Sequence, residues 1–550
     1  MNAPLPIPAI WTTATTDAIK TGTWRSSLAQ HVRAPSPCHG ACPVHGEIAD
    51  WIGQARARDF RAAFDTLALH NPFPAIAGRI CHHPCETACN RAGYDEALSI
   101  CKLERFVGDM ALAEGWALTP PAVERSQRVA VVGAGPSGLS AAYQLRRRGY
   151  AVTLFESQAE LGGLMRYGIP AYRLARDVLD GEIARIVALG VDVRCGQPLT
   201  GPQDLERLRA DFDAVYLAVG ARRQKRLPQL DYTQAWVVDG ADYLARHAMG
   251  QAPALGRRVV VIGGGSAALD VARSVRRAGH EVSILALEAE ARLPAQREEV
   301  VEALEEGIRL VDASMLQTVQ VADGGLRLDC VKVLFTPGAQ RGQFTVAAVD
   351  GSGFALEADA IVSSIGQDPD LSLFGPALAS EGALLKAGRS GATSADGVWA
   401  GGDLTSMARF VTEAVGMGER AAIDIDRRLR ADAGDAFEDD QAMVGLQAIS
   451  LHYHPKQARP AARTLGPAER LAGHAEVQLG LEIEQALAET VRCFSCGTCT
   501  HCDNCVTYCP DFAVQRQGDG YIVLTDYCKG CGVCVTECPT GSMKMLEEMR

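Results

Sequence analysis

Between about residues 45 and 115 apolar positions recur every three or four residues, in DWIGQARARDFRAAFDTLALH and LERFVGDMALAEGW, with short Pro/Cys turns between the runs. This spacing predicts a small helical domain rich in cysteine. At Arg128 the period changes. RVAVVGAGPSGLSAAYQLRRRGYAVTLFE reads as strand, glycine-rich turn, helix and strand, and a second copy, RVVVIGGGSAALDVARSVRRAGHEVSILALE, begins at Arg258, so two nucleotide-binding domains are expected. FDAVYLAVGA, ADAIVSSIGQ and DGVWAGGDLT are apolar strands ending in glycine and read as later strands of these domains. Residues 431–490 are Ala/Glu-rich and read as a linker with some helix.

At 550 residues the chain is too long for one core and should hold roughly three to five domains. With 47% apolar and 22% charged residues it has ample material for buried cores. A net charge of −12 without a basic run argues against nucleic acid as a partner. No stretch approaches the roughly 18 apolar residues of a membrane span, and MNAPLPIPAIWTTATTDAIK lacks the features of a signal peptide. A cytoplasmic protein is expected. In that reducing compartment eighteen cysteines point to metal ligation, not disulfides. Six lie from Cys38 to Cys101 and ten from Cys493 to Cys538, whereas the long middle has only Cys195 and Cys330, which read as buried apolar residues and not as catalysts.

Each glycine-rich turn carries a dinucleotide fingerprint. In the first, Gly133 makes the tight turn, Gly135 admits a pyrophosphate, Gly138 lets helix and strand pack, and Glu156 ends the second strand where a carboxylate bonds ribose hydroxyls. In the second, Gly263 and Gly265 are followed by Ala268, which the close-packed third position tolerates. In such pairs the first copy holds FAD, and Asp403 after Gly402 is placed to reach a ribityl hydroxyl. The second copy then takes the nicotinamide. Its second strand runs on to Glu288, with no arginine before Arg292, which favours NAD(H) over NADP(H) because a 2′-phosphate needs a cation.

The strongest spacing is Cys499-x2-Cys502-x2-Cys505-x3-Cys509-Pro followed by Cys528-x2-Cys531-x2-Cys534-x3-Cys538-Pro. Three close thiolates occupy three corners of a cubane and the fourth crosses to the other cluster. Cys499, Cys502, Cys505 and Cys538 are therefore expected on one [4Fe–4S] cluster, and Cys528, Cys531, Cys534 and Cys509 on a second. Zinc is the weaker reading, because zinc ribbons use paired cysteines. Cys493 and Cys496 lengthen the first run and leave its register open. The N-terminal thiols Cys38, Cys42, Cys81, Cys85, Cys89 and Cys101 suffice for one [4Fe–4S] cluster but not for two all-cysteine ones. Glu104, one turn after Cys101, reads first as a surface acid and second as an oxygen ligand.

Residues 38 to about 425 resemble the small subunit of glutamate synthase and the matching part of dihydropyrimidine dehydrogenase, through CPVHGEIADWI, NPFPAIAGRICHHPCETACNR, VAVVGAGPSGLSAAYQL, ELGGLMRYGIPAYRL, VVVIGGGSAALDVAR, SSIGQDPD and GGD. The resemblance implies a FAD and nicotinamide enzyme, adds Gly163 and Arg173 to the FAD site, and implies iron–sulfur clusters near the flavin. The family's CxxC ahead of the Cys38 position is missing here, so at least one N-terminal cluster is expected. The family's second-cluster ligands fall on Cys42, Cys81, Cys85 and Glu104, with Cys101 as a replacement for the last, and its NADPH arginine pair falls on Leu287 and Glu288. The C-terminal 60 residues resemble the delta subunit of 2-oxoacid:ferredoxin oxidoreductases.

The expectation is thus a multidomain α/β chain: an N-terminal tail (1–30), a helical iron–sulfur domain (31–120), a Rossmann-like FAD domain (125–250 and 365–430), a Rossmann-like NAD(P) domain (255–364), a linker (431–490) and a bacterial-type α+β ferredoxin domain (491–550). It implies electron exchange between nicotinamide, FAD and clusters, on behalf of the catalytic subunits of a ferredoxin-linked oxidoreductase in a hetero-oligomer. No acid–base triad is expected, since the cofactor carries the chemistry. The alternatives are an NADPH-driven input subunit of a glutamate synthase or sulfite reductase type, and a non-catalytic electron-carrying scaffold.

Overall fold

The computed structural model describes residues 19–322, 324–339, 342–431 and 442–548. Residues 1–18 of the expected tail and 432–441 of the expected linker lie outside them. The first amphipathic run forms two helices, Ile48–Arg56 and Phe60–Ala68, and not one. The break has a local cause. Arg58 takes a left-handed φ of 63°, and the Asp59 carboxylate accepts from Ala62 N at 3.0 Å, capping the second helix. These helices and two more, Pro74–Ile80 and Ile100–Ala113, bury Trp51, Phe64, Ile76, Leu103 and Val107.

That core is continuous with the one beneath the first nucleotide domain, which contributes Tyr143, Ile183, Ile186 and Ile425. One buried carboxylate joins the two units: Glu182 accepts from Ala75 N and Ile76 N at 3.0 and 2.9 Å, at the N-terminus of Pro74–Ile80. The domain's sheet is five-stranded and parallel, in the order Val398–Ala400, Ala214–Leu217, Arg128–Val132, Ala151–Phe155, Asp192–Arg194. The second domain has its own parallel sheet, Arg309–Val311, Glu281–Leu285, Arg258–Ile262, Ala360–Ser363, Val237–Asp239. Val237–Asp239 falls within the 125–250 span expected for the FAD domain, but it pairs with Ala360–Ser363 in the second sheet. Four antiparallel strands between Ser314 and Ala358 extend that domain.

At the C-terminus a hairpin, Val514–Gln517 with Gly520–Val523, and the turns Asn504–Thr507 and Val533–Thr536 form the small cysteine-rich unit. The chain's beginning belongs to it. Ser27–His31 pairs antiparallel with Met543–Glu547, in register Leu28 with Leu546 and Ala29 with Met545, and Arg25 makes a fork to Glu548 at 2.7 and 2.8 Å. Residues 19–30 are therefore not a free tail.

The expected linker is a strap, held by charges that its composition made look merely soluble. Arg459 pairs with Glu86 at 2.6 Å, and Tyr94 Oη donates to the His454 carbonyl at 2.7 Å. Glu476 receives Arg79 at 2.6 Å and Arg105 at 3.0 Å, and Arg470 reaches Glu305 of the second nucleotide domain at 2.8 Å. Arg79 and Arg105 are nearly buried, with side chains 5% and 7% exposed. Removing their shared carboxylate leaves buried charge short of a partner, although Asp109 still contacts both. Glu476→Ala should therefore weaken docking of the strap by about 2–4 kcal/mol, seen as faster amide hydrogen exchange across residues 442–482; unchanged exchange there would refute the clamp.

Candidate functional site

The strand Arg128–Val132 feeds the helix Pro136–Arg147 through the Gly133–Gly135 turn. A Cβ on Gly138 would stand 1.8 Å from the Gly133 carbonyl, so only glycine lets this helix approach its strand. Gly163 crosses the same turn with φ 52°, where a Cβ would lie 2.8 Å from Gly135 Cα. Gly402 sits against Ser137 in the helix's first turn and brings Asp403 beside it, with burial raising the Asp403 carboxyl. Glu156 closes the far side. Its carboxylate is buried and accepts from Ala134 N and Gln158 N, both at 2.8 Å, which aims it along the strand ends. Gly133, Gly135, Gly138, Glu156, Gly163, Gly402 and Asp403 are thus brought together in a cradle fitted to a pyrophosphate and a ribose.

Arg173 is not part of that cradle. Its guanidinium crosses to the second nucleotide domain, donating to Asp270 at 2.7 Å and pairing with Glu299. The resemblance that suggested it for FAD carried no information about these partners, which lie about 100 residues on.

In the second domain Gly265 precedes the helix Ser266–Arg277, and Ala268 is fully buried beneath Gly263. The Glu288 carboxylate lies over the turn, with Oε2 2.8 Å from where a Gly264 Cβ would be. Burial raises its carboxyl. Arg292 is exposed. An acid therefore faces the turn.

The thiols fall into four groups. Cys499, Cys502, Cys505 and Cys538 line one cavity. Cys509 joins Cys528, Cys531 and Cys534, each of which acts electrostatically on Cys534. Cys42, Cys81, Cys85 and Cys101 form a third set, and Glu104 is turned towards it. The Glu104 carboxyl accepts from Asn71 Nδ2 at 2.8 Å and is pushed up to about 8 by burial, so it is not the surface acid expected. Cys38 and Cys89 meet Cys493 and Cys496 across a fourth cavity. Cys493 and Cys496 thus do not extend the ferredoxin run. The signal for this was present: a CxxC missing before Cys38 and one surplus before Cys499. Of the lone cysteines, Cys330 is buried but Cys195 is exposed.

Burial pushes Cys42 and Cys496 up to about 12 and Cys81 and Cys493 up to about 11. Such thiols stay protonated at neutral pH unless bound iron supplies positive charge, which fits them for cluster ligation and not for nucleophilic chemistry.

Two glycine cradles beside grouped, buried thiols define a flavin- and nicotinamide-dependent oxidoreductase equipped with iron–sulfur domains. Residues 127–418 match the Pyridine nucleotide-disulphide oxidoreductase family, residues 32–116 match Dihydropyrimidine dehydrogenase domain II, 4Fe-4S cluster, and residues 521–544 match the 4Fe-4S binding domain. The chain belongs to the pyridine nucleotide-disulphide oxidoreductase family and is a FAD-dependent NAD(P)H oxidoreductase. It is 34% identical over 506 residues to the NADP(+)-dependent formate dehydrogenase subunit beta of Moorella thermoacetica, covering 84% of this chain and 70% of that one. The NADPH-Fe(3+) oxidoreductase subunit beta of Geobacter sulfurreducens is 32% identical over 507 residues, covering 84% and 75%. The NAD-dependent dihydropyrimidine dehydrogenase subunit PreT of Escherichia coli K12 is 32% identical over 392 residues, covering 70% and 89%. Among the described residues no helix is long and apolar enough to cross a membrane.

Glu156→Ala removes the acceptor for two backbone N–H groups that shape the first cradle. The variant should purify with at least about tenfold weaker flavin retention, read from the ratio of flavin to protein absorbance, while Glu156→Gln keeps most of it.

Proposed function

We propose that this protein is the electron-transfer subunit of a hetero-oligomeric, ferredoxin-linked oxidoreductase of the cytoplasm, exchanging electrons between NAD(H), FAD, [4Fe–4S] clusters and a partner's catalytic subunit. The observation that carries the reading is the grouping of buried thiols in the helical domain, which packs on the first nucleotide domain, and in the ferredoxin domain, where Cys502 and Cys531 are exposed. The first cradle and Glu156 hold FAD, the second cradle and Glu288 hold the nicotinamide cofactor, and the cysteine groups hold the clusters. Bound there, FAD supplies the conversion between a hydride pair and single electrons. The chain's own contribution is position and potential: it fixes the cradles against the helical domain and surrounds the thiols with apolar wall and N–H donors.

Phe512, 77% exposed, and Tyr508 stand beside the ferredoxin thiols and offer a partner an apolar footing. The ferredoxin domain supports a 2-oxoacid oxidoreductase as that partner, with electrons running from clusters to NAD+. A second reading, an NADP(H)-using subunit in a formate-oxidising or metal-reducing complex, is favoured by the names of the two relatives that cover 84% of the chain.

Nicotinamide choice separates the readings. A carboxylate over Gly264 repels a 2′-phosphate and accepts from a free 2′-hydroxyl. In anaerobic reduction followed by flavin bleaching and then cluster EPR, NADH should exceed NADPH by at least about tenfold in kcat/KM. The Leu287→Arg/Glu288→Arg variant should reverse that preference. Faster bleaching of the unaltered protein by NADPH would reject the role given to Glu288.

A further inference from the structure

The strap carries two cysteines away from the ferredoxin domain to the far side of the helical one. The helix Ile483–Arg492 ends on Cys493, and Cys89 opens the short turn Asn90–Gly93. Buried charge locks the two ends together. Arg91, 2% exposed, pairs with Asp95 at 2.6 Å, donates to the Arg492 carbonyl, and lies 5.0 Å from the Phe494 ring centroid. Arg492 in turn pairs with Glu489 at 2.8 Å and Asp95 at 3.2 Å. Two buried arginines are tolerated only with such a carboxylate set, so the Cys493–Cys496 loop has one position relative to Cys89. From the other side, Ala34 N donates to Gly497 O at 3.3 Å and Gly497 N to Thr540 O at 2.7 Å. The result is a cavity of ≈ 380 Å³ walled by four thiols, Phe494 and Ile52.

We propose that Cys38, Cys89, Cys493 and Cys496 together hold a [4Fe–4S] cluster, whose CxxC half is delivered by the C-terminal end of the chain in place of a pair ahead of Cys38. The site depends on neither the nicotinamide bound nor the partner. The sulfurs have donors: Ser36 Oγ lies 3.1 Å from Cys38 Sγ, Ser495 N donates to Cys493 Sγ at 3.4 Å, and Asn90 Nδ2 to Cys496 Sγ at 3.4 Å. The four thiols line an open space and do not close on one point. A single zinc ion draws its thiolates to about 2.3 Å and leaves no cavity. The space here is close to the ≈ 300 Å³ within the ferredoxin set Cys499, Cys502, Cys505 and Cys538. Among the described residues no group of three or more His, Cys, Asp or Glu closes on one metal ion. Loading forms four Fe–S bonds and releases the four thiol protons to solvent.

Four sites of four ligands, with Cys101 in the Cys42 set, use sixteen of the eighteen cysteines and leave Cys195 and Cys330. The new site is the middle of the relay. Cys38 and Cys42 sit at either end of one short helix, one facing each N-terminal group. Cys496 and Cys499 are three residues apart, a reach of at most about 10 Å. Single electrons pass between the Cys42 group and Cys499 through it.

The test is iron, acid-labile sulfide and zinc per flavin in the full chain purified anaerobically. About 16 iron atoms are expected, and Cys493→Ser/Cys496→Ser should lose about four of them. Cys38→Ser/Cys89→Ser should lose the same four, the combined variant no more, and all should keep flavin and its bleaching by pyridine nucleotide. Reduction of the ferredoxin-domain clusters, read by EPR, should then slow at least about tenfold. A count of about 12 iron with one zinc in the unaltered chain, or a loss of about eight iron in the combined variant, would overturn the site. Should a variant also shed flavin through misfolding, the count in the unaltered chain decides. That count is untouched by whether NADH or NADPH is preferred, so the two proposals fail separately.

Discussion

The antiparallel pairing of Ser27–His31 with Met543–Glu547 is the contact on which the arrangement of thiols depends. Cys38 and Cys42 follow the first of these strands directly, and the ferredoxin cysteines precede the second, so the ladder brings the two cysteine-rich ends of the chain together. Closing a loop of this length costs about 5–6 kcal/mol, because the entropy grows only with the logarithm of length. The ladder, the Arg25–Glu548 fork and the buried Arg91–Asp95–Arg492–Glu489 network offset that cost.

The domains between those ends share apolar core where the helical and first nucleotide domains meet, and are pinned at their seams by charges taken out of water. Glu182 caps a helix of the helical domain from the first nucleotide domain, Arg173 ties the first nucleotide domain to Asp270 and Glu299 of the second, and Glu476 gathers Arg79 and Arg105 under the strap. Such pairs add little net stability over apolar contacts, but each is intolerant of displacement, because a shifted partner leaves a buried charge unmatched. That intolerance suits electron transfer, which depends on fixed distances.

The local parts of this architecture were legible in the sequence. Strand, glycine turn and helix lie within about 30 residues of one another, and the 3.6-residue and two-residue periods of apolar side chains follow from backbone geometry alone. The same holds for the ferredoxin runs, where four cysteines within a short segment have few ways to surround a cubane. The break at Asp59 is set by one capping carboxylate within an otherwise continuous apolar period.

What only the tertiary structure decided are the partnerships between residues far apart in the chain. Nothing in the composition of 442–490 separates a solvated linker from a strap whose acids and arginines meet Arg79, Arg105, Glu86 and Glu305. Nothing near Val237 reports that it pairs with Ile361, and the surplus CxxC at Cys493, though visible in the sequence, does not place Cys38 and Cys89 opposite it. The reason is physical. Spacing within a segment is set by covalent geometry, so motif and period can be read from order alone, whereas contacts across hundreds of residues are chosen by how whole domains bury their apolar faces and match their charges.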